Sequence, residues 1–340
     1  MISSAHRGPR GRRALALFAV PVAAALALGA CSSGSSSKHT VAIVGYSVPK
    51  PAYDALSAAF AKTDAGKNTS FSSSYGPSGT QSKAVASGQH ADYVAFSLQP
   101  DMDRLVPKYV DPTWSAGPTK GMVSDSVVVI VVRKGNPKHI TGWDDLIKPD
   151  IKIVTPDPAS SGSAKWNVLA AYEHVIAQGG TEDQAKAYLT SFFGHVISKP
   201  TSGAIATTTF LQGTGDVLIS YEDEAISTRA KGGAVDYMVP DQTMLIENPA
   251  AVTKTAPQQA KDFLAYALSA DGQKIFAANG FRPVVAGVAP GTVKGANDPA
   301  HPFPTVPKLV TVASLGGWTA VNTKFFDAST GIVTKIEGSG

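Results

Sequence analysis

Residues 151–167 read IKIVTPDPASSGSAKWN, a strand, a small-residue loop and a helix start in one span. Ile151 to Val154 is a short apolar run of β type, stopped by Pro156 and Pro158. The small residues Ser160-Ser161-Gly162-Ser163 follow. Apolar residues then recur at helical spacing in Trp166, Leu169, Ala170, Tyr172 and Val175, until Gly179-Gly180 ends the pattern. The first N–H groups of a helix have no intrahelical acceptor, and the helix dipole adds partial positive charge there. With only small side chains around them, those N–H groups are open to an anion. An ordinary strand-to-helix turn with a serine cap fits the same residues, so the rest of the chain must decide.

The remaining chain repeats this unit. Val41–Tyr46 reads as a buried strand, followed by a turn at Ser47–Pro51 and a helix carrying Tyr53, Leu56, Ala59 and Phe60. A weak strand over Asn68–Tyr75 leads to Gly76-Pro77-Ser78-Gly79-Thr80 and a short helix over Gln81–Ser87, with Ser78 placed as an N-cap. Asp92–Phe96 is another strand, and Ser126–Val132, SVVVIVV, is the strongest β signal, apolar enough to be covered on both faces. Thr181-Glu182-Asp183-Gln184 has the form of a capping box. Ser202–Phe210 is a small-residue turn running into a helix, and Val217–Ser220 is a strand ending at Tyr221. A final helix is expected to carry Phe325 and Phe326. Alternating strands and helices predict an α/β fold with a parallel-rich sheet, whose ligands bind beyond the carboxyl ends of the strands. Ser47, Ser78, Ser161-Gly162-Ser163, Gly203 or Ala204, and Tyr221 all fall at such ends.

The first 30 residues stand apart. Arg7, Arg10, Arg12 and Arg13 precede an apolar run, Ala14–Ala27, and then Leu28-Gly29-Ala30-Cys31. This pattern resembles a bacterial lipoprotein signal, with Cys31 the lipidated residue and Ser32–Ser37 a flexible tether. Cys31 is the only cysteine, so no intramolecular disulfide can form. The four leader arginines and no leader acid account for the whole formal charge of +4. The remainder is balanced and carries no footprint for nucleic acid.

Several chemistries have no motif here. There is no His-Glu-x-x-His pair, no Gly-x-Ser-x-Gly elbow around Ser78 or Ser161, no phosphate loop and no complete dinucleotide fingerprint. No cofactor and no metal are expected. Glu222 and Glu224 read as a solvated pair at a strand end, and Asp157 as facing its own turn.

Six collinear segments carry a resemblance: residues 76–81 (GPSGTQ), 133–149 (RKGNPKHITGWDDLIKP), 155–167 (TPDPASSGSAKWN), 213–225 (GTGDVLISYEDEA), 281–283 (FRP) and 316–318 (GGW). Through them, residues 41–330 resemble the sulfate-binding proteins of bacterial ABC importers. The resemblance implies a two-lobed periplasmic-binding-protein fold of type II, hinged by crossing strands, with the ligand in the interlobe cleft. It divides the chain into 38–122 with 254–340 as one lobe and 123–253 as the other. It implies a monomeric, lipid-anchored, extracytoplasmic receptor that delivers sulfate or thiosulfate to a membrane permease and its ATPase. The ligand donors implied are the Ser47 N–H, the Ser78 hydroxyl, the N–H groups of Ser161, Gly162 and Ser163, one N–H from Gly203 or Ala204, and Tyr221. Here Ser47 stands for a family aspartate used through its backbone, Ser163 for a glycine, and Tyr221 for a tryptophan. A family arginine near Ala204 is absent. A molybdate or phosphate receptor on this fold, a secreted serine-dependent lipoprotein hydrolase and a structural lipoprotein are the alternatives.

Overall fold

The computed structural model describes residues 39–338. The expected leader of 1–30, the tether of 31–37 and Cys31 lie outside the described residues. The first part of the chain contains β1 (His39–Tyr46), α1 (Lys50–Phe60), β2 (Thr69–Gly76), α2 (Ser78–Ala86), β3 (Tyr93–Ala95), α3 (Gln99–Asp103) and β4 (Met122–Arg133). There follow β5 (Ile153–Val154), α4 (Gly162–Ala177), α5 (Glu182–Gly194), β6 (Val196–Ser198), α6 (Gly203–Leu211), β7 (Val217–Tyr221), α7 (Glu222–Ala230) and β8 (Val235–Met238). The last part holds β9 (Gln242–Val252), α8 (Gln258–Ala267), α9 (Ala270–Ala278), β10 (Lys308–Val310), α10 (Gly317–Val321) and α11 (Ile332–Gly338). Among the described residues no helix is long and apolar enough to cross a membrane.

The strands run in the order β2-β1-β3-β9-β4-β7-β5-β6, with β10 beside β9 and β8 beside β4. The outer groups are parallel as expected: β1 pairs with β2 and β3, and β5 with β6 and β7. The centre is not. The two long strands β4 and β9 are antiparallel to each other and to β7, β8 and β3. Each joins the other to one outer group, β9 to β3 and β4 to β7. In β4, Met122–Val127 pairs with β9 and Val128–Arg133 with β7 and β8. In β9, Leu245–Pro249 pairs with β4 and Ala250–Val252 with β3.

β4 shows why its sequence is so apolar. Val127, Val129 and Val131 belong to one apolar cluster with Phe210 of α6 and Ile226 of α7, while Val128, Ile130 and Val132 belong to another with Trp166 and Leu169 of α4 and Leu189 of α5. Helices cover both faces, so the period-two alternation has no polar half. α4 is likewise buried nearly all round, with Trp166 stacked edge-on against Trp318 at a ring separation of 4.9 Å. The β1–β3 group is covered by α1, α8 and α9 through Tyr53, Phe60, Phe263 and Phe276, and on its other face by α2 and α3.

Two local expectations meet the structure differently and a third is met. Ser78 is the first helical residue of α2, not its cap, because Pro77 takes the cap position with extended backbone. Phe325 and Phe326 lie in a single π-helical turn, Asn322–Phe326, and the last helix is α11. The Thr181–Gln184 capping box is present with both of its bonds.

Candidate anion-binding site

Each parallel strand ends in a turn that starts a helix, and these starts converge. After β1, Ser47 is half-buried and its carbonyl accepts from the Lys50 N–H at 3.3 Å. After β5, the carbonyl of Asp157 accepts from the N–H groups of Ser160 and Ser161 at 3.2 and 2.8 Å. That winds the loop so that α4 begins at Gly162 with Ser161 as N-cap. The Asp157 carboxylate accepts from the Ala159 N–H at 2.9 Å and so faces its own turn, as expected. After β6, the Ser202 hydroxyl caps α6 by accepting from the Ile205 N–H at 3.3 Å. α6 then begins at Gly203. Tyr221 ends β7 and is fully buried.

Two glycines show how tightly these starts meet. A Cβ on Gly203 would lie 2.8 Å from Ser163 Oγ, 3.0 Å from Glu224 Oε2 and 3.1 Å from Val48 Cγ2. One helix start thus touches another, the turn after β1, and a carboxyl. A Cβ on Gly162 would lie 2.5 Å from Ser97 Oγ, 2.7 Å from Ser97 Cβ and 2.9 Å from Leu98 Cγ. The start of α4 is therefore seated against the residues that follow β3. Two clefts open on either side of this junction. One, of about 570 Å³, is lined by Ser161, Gly162, Lys83, Arg104 and Lys165. The other, of about 660 Å³, is lined by Ser47, Ala204, Lys50 and Glu224. Ser163, Gly203 and Tyr221 stand buried between them.

Two of the expected donors are already engaged. The Ser78 hydroxyl donates to Asp101 Oδ2 at 2.6 Å and accepts from the Ser97 N–H at 3.0 Å. Asp101 is held in turn by Arg104 at 2.8 Å. The Ser161 N–H is spent on Asp157, which leaves its hydroxyl as the free group. At the start of α4 the N–H groups of Gly162 and Ser163 have no intrahelical acceptor. Gly203 and Ala204 hold the same position on α6.

Ser97 is a residue that sequence reasoning missed. Its hydroxyl lies 2.7 Å from the Tyr221 hydroxyl, and its carbonyl accepts from Trp166 Nε1 at 3.0 Å. It follows the strand β3 just as Ser47 follows β1, so the strand-end rule that found the others would have found it. Tyr46, at the end of β1, carries a buried hydroxyl with no hydrogen-bond partner among the described residues. Burial raises its pKa, and Tyr221, Asp223 and Glu224 add to the rise.

The acidic pair is not solvated. Glu222 is fully buried and bound by Arg282 of the 281–283 motif through Nε at 2.6 Å and Nη2 at 3.0 Å. Glu224 accepts from Thr207 and Ser220, each at 3.0 Å. The turn into α7 folds these acids under the sheet, where they anchor neighbouring segments. Burial raises the Glu224 pKa against the pull of those two hydroxyls. Burial also raises Tyr221, opposed by hydroxyl bonding from Ser163 and Ser97.

Two helix starts, a strand-end turn and buried hydroxyls meet at this junction, and donor groups of that kind suit a small anion. The match to a family model described as "Bacterial extracellular solute-binding protein" covers residues 41–282. The chain belongs to that family. A sulfate-binding protein of Synechococcus elongatus is 36% identical over 91% of both chains. A thiosulfate-binding protein of Pseudomonas aeruginosa is 33% identical over 77% of this chain and 82% of its own. Among solved structures, the sulfate-binding protein SubI of Mycobacterium tuberculosis H37Rv is 44% identical with a TM-score of 0.79, over 85% of this chain and all of that one. In this family the likeness carries a mixed α/β solute-binding fold, and the relatives are named for what they bind and not for a reaction.

Proposed function

We propose that the protein is an extracytoplasmic receptor for sulfate, with thiosulfate as its second ligand, that hands the anion to an ABC-type permease and its ATPase. The observation that carries this reading is the apposition of the α4 and α6 starts at Gly162–Ser163 and Gly203–Ala204, facing the turn at Ser47. In the proposed site the N–H groups of Ser47, Gly162, Ser163 and Gly203 or Ala204 hold the anion. The hydroxyls of Ser161 and Tyr221 complete the set, and Ser78 joins only if its proton leaves Asp101. The relatives named for sulfate and thiosulfate support the choice of ligand.

A buried dianion is tolerated only when fully hydrogen-bonded. Bonds to a charged partner contribute about 1.5–3 kcal/mol each, and micromolar binding needs a surplus of about 8 kcal/mol. Half a dozen donors can reach that surplus without a lysine or arginine, because helix starts supply the field. Sulfate brings no proton near neutral pH. Hydrogen phosphate brings one, and a site made of donors leaves that proton without a partner.

In the same reading, 38–122 with 254–340 and 123–253 are two lobes that close on the anion, and β4 and β9 are the crossing strands between them. Cys31 tethers the monomer to the membrane outer face. A hydrolase reading is not favoured, since the Ser78 hydroxyl is bonded to Asp101 and Ser97 and not to an imidazole. Titration calorimetry with sulfate, thiosulfate, molybdate and phosphate tests the proposal. Tightest binding of phosphate or molybdate, or no binding of any oxyanion, overturns it.

A further inference from the structure

The phenol at Tyr221 is the weak point of a donor-only site. An indole N–H can only donate, whereas a phenol oxygen can also accept, and would give the proton of hydrogen phosphate a home. The surroundings of Tyr221 remove that option. Its hydroxyl lies 2.7 Å from Ser97 Oγ. Ser163, at the start of α4, places a second hydroxyl in the same buried junction, against Gly203.

We infer that Ser97 and Ser163 fill the two lone pairs of the Tyr221 oxygen with their own hydroxyl protons, so that Tyr221 presents only a donor to the anion and the receptor keeps its preference for an unprotonated dianion. The inference rests on the sulfate reading above and assigns the residues that set its selectivity. Without an anion to accept from Tyr221, the Ser97–Tyr221 bond can point either way. Once an anion oxygen accepts from Tyr221, the Ser97 proton turns toward Tyr221. The hydroxyls then run in series, Ser97 to Tyr221 to anion, each bond polarising the next. Burial keeps the phenol protonated throughout, since it raises the Tyr221 pKa further from neutrality. Ser97 holds its place by backbone bonds that a side-chain change does not touch, to Ser78 through its N–H and to Trp166 through its carbonyl.

The test is a double-mutant cycle read by calorimetry with sulfate and with phosphate. In Ser97→Ala the Tyr221 oxygen is left with a free lone pair that can accept a phosphate proton. The ratio of sulfate to phosphate affinity should fall roughly tenfold, the scale of one buried hydrogen bond. Ser163→Ala should move the ratio in the same direction. In a Tyr221→Phe background, Ser97→Ala should leave the ratio unchanged, because there is no phenol left to direct. Equal losses for both anions in Ser97→Ala, or a shift that persists without the phenol, overturn the inference. A wild-type protein that takes up no sulfate overturns the proposed function and this inference together. A wild-type protein that binds sulfate, paired with variants of unchanged ratio, overturns this inference alone.

Discussion

Gly162→Ala is the sharpest probe of the proposed closure. The substitution keeps the N–H group at the first position of α4, and alanine suits a helix better than glycine. A donor and the helix are therefore preserved, and only packing changes. The added methyl would meet Ser97 Oγ at 2.5 Å, Ser97 Cβ at 2.7 Å and Leu98 Cγ at 2.9 Å, all shorter than real contacts. Overpacking of this kind costs about 1–3 kcal/mol. By the proposed division Ser97 and Leu98 belong to the opposite lobe, so the cost falls on the closed state alone. Sulfate affinity should then fall roughly 5- to 150-fold, at about 1.4 kcal/mol per factor of ten. The melting temperature without anion should match that of the wild type. Calorimetry and a thermal melt, each with and without sulfate, measure both quantities. Affinity within about twofold of wild type would refute the closure argument. A large drop in melting temperature without anion would refute it too, by showing that the contact is permanent.

The titrating groups give further tests. Burial raises Glu224, and a dianion beside it raises it further, so binding takes up a proton. Sulfate affinity should weaken as pH rises above the ordinary carboxylate range, and Glu224→Gln should flatten that slope in calorimetry. Asp125 on β4 stands opposite Glu247 on β9, and burial, then Glu247, lifts its pKa to about 7 despite Arg282. A folded pKa above the unfolded value of about 3.9 means stability that is present below that value and lost as pH rises through about 7. Asp125→Asn should therefore stabilise the protein against urea at about pH 8 and make little difference near pH 4. Each tenfold difference between the acid constants of the folded and unfolded states adds about 1.4 kcal/mol to that gain. Arg282→Ala leaves Glu222 buried and unpaired, and should cost roughly 3–5 kcal/mol in denaturant unfolding.

The sequence revealed the parts whose signal is local. The 151–167 span showed its strand, loop and helix because proline, small residues and apolar spacing change within a few positions. β4 was plain because both of its faces are buried, so every residue from Val127 to Val132 is apolar. β9 was hidden for the opposite reason. Its middle, Glu247-Asn248-Pro249, breaks the alternation, and Pro249 is tolerated next to the irregular pairing with Met122 and Ser124. The antiparallel centre was hidden as well, because direction is set by which edge the chain returns to and leaves no mark on composition. At the site, the strand-end rule found the turns but not where their hydrogen bonds go. That the Ser78 hydroxyl would donate to Asp101, 23 residues on, is a tertiary fact. So is the burial of Glu222, which only its pairing with Arg282 of a distant motif allows.

In the proposed site, those tertiary bonds also determine where the affinity would reside. Asp101 accepts from the Ser78 hydroxyl, and Glu224 from those of Thr207 and Ser220. Asp101 thereby engages one hydroxyl donor and Glu224 two, while fixing the start of a helix and the end of a strand. What remains to meet an anion is mostly backbone: the N–H groups of Gly162 and Ser163 on one helix and of Gly203 and Ala204 on another. Backbone dipoles cannot be deleted by substitution, and they do not titrate. Deleting single serines is therefore a poor measure of such a site. In the proposed site, strength lies in how closely the helix starts pack: a methyl on Gly203 would push the α6 start off Ser163 of α4, and one on Gly162 would push the α4 start off Ser97 and Leu98.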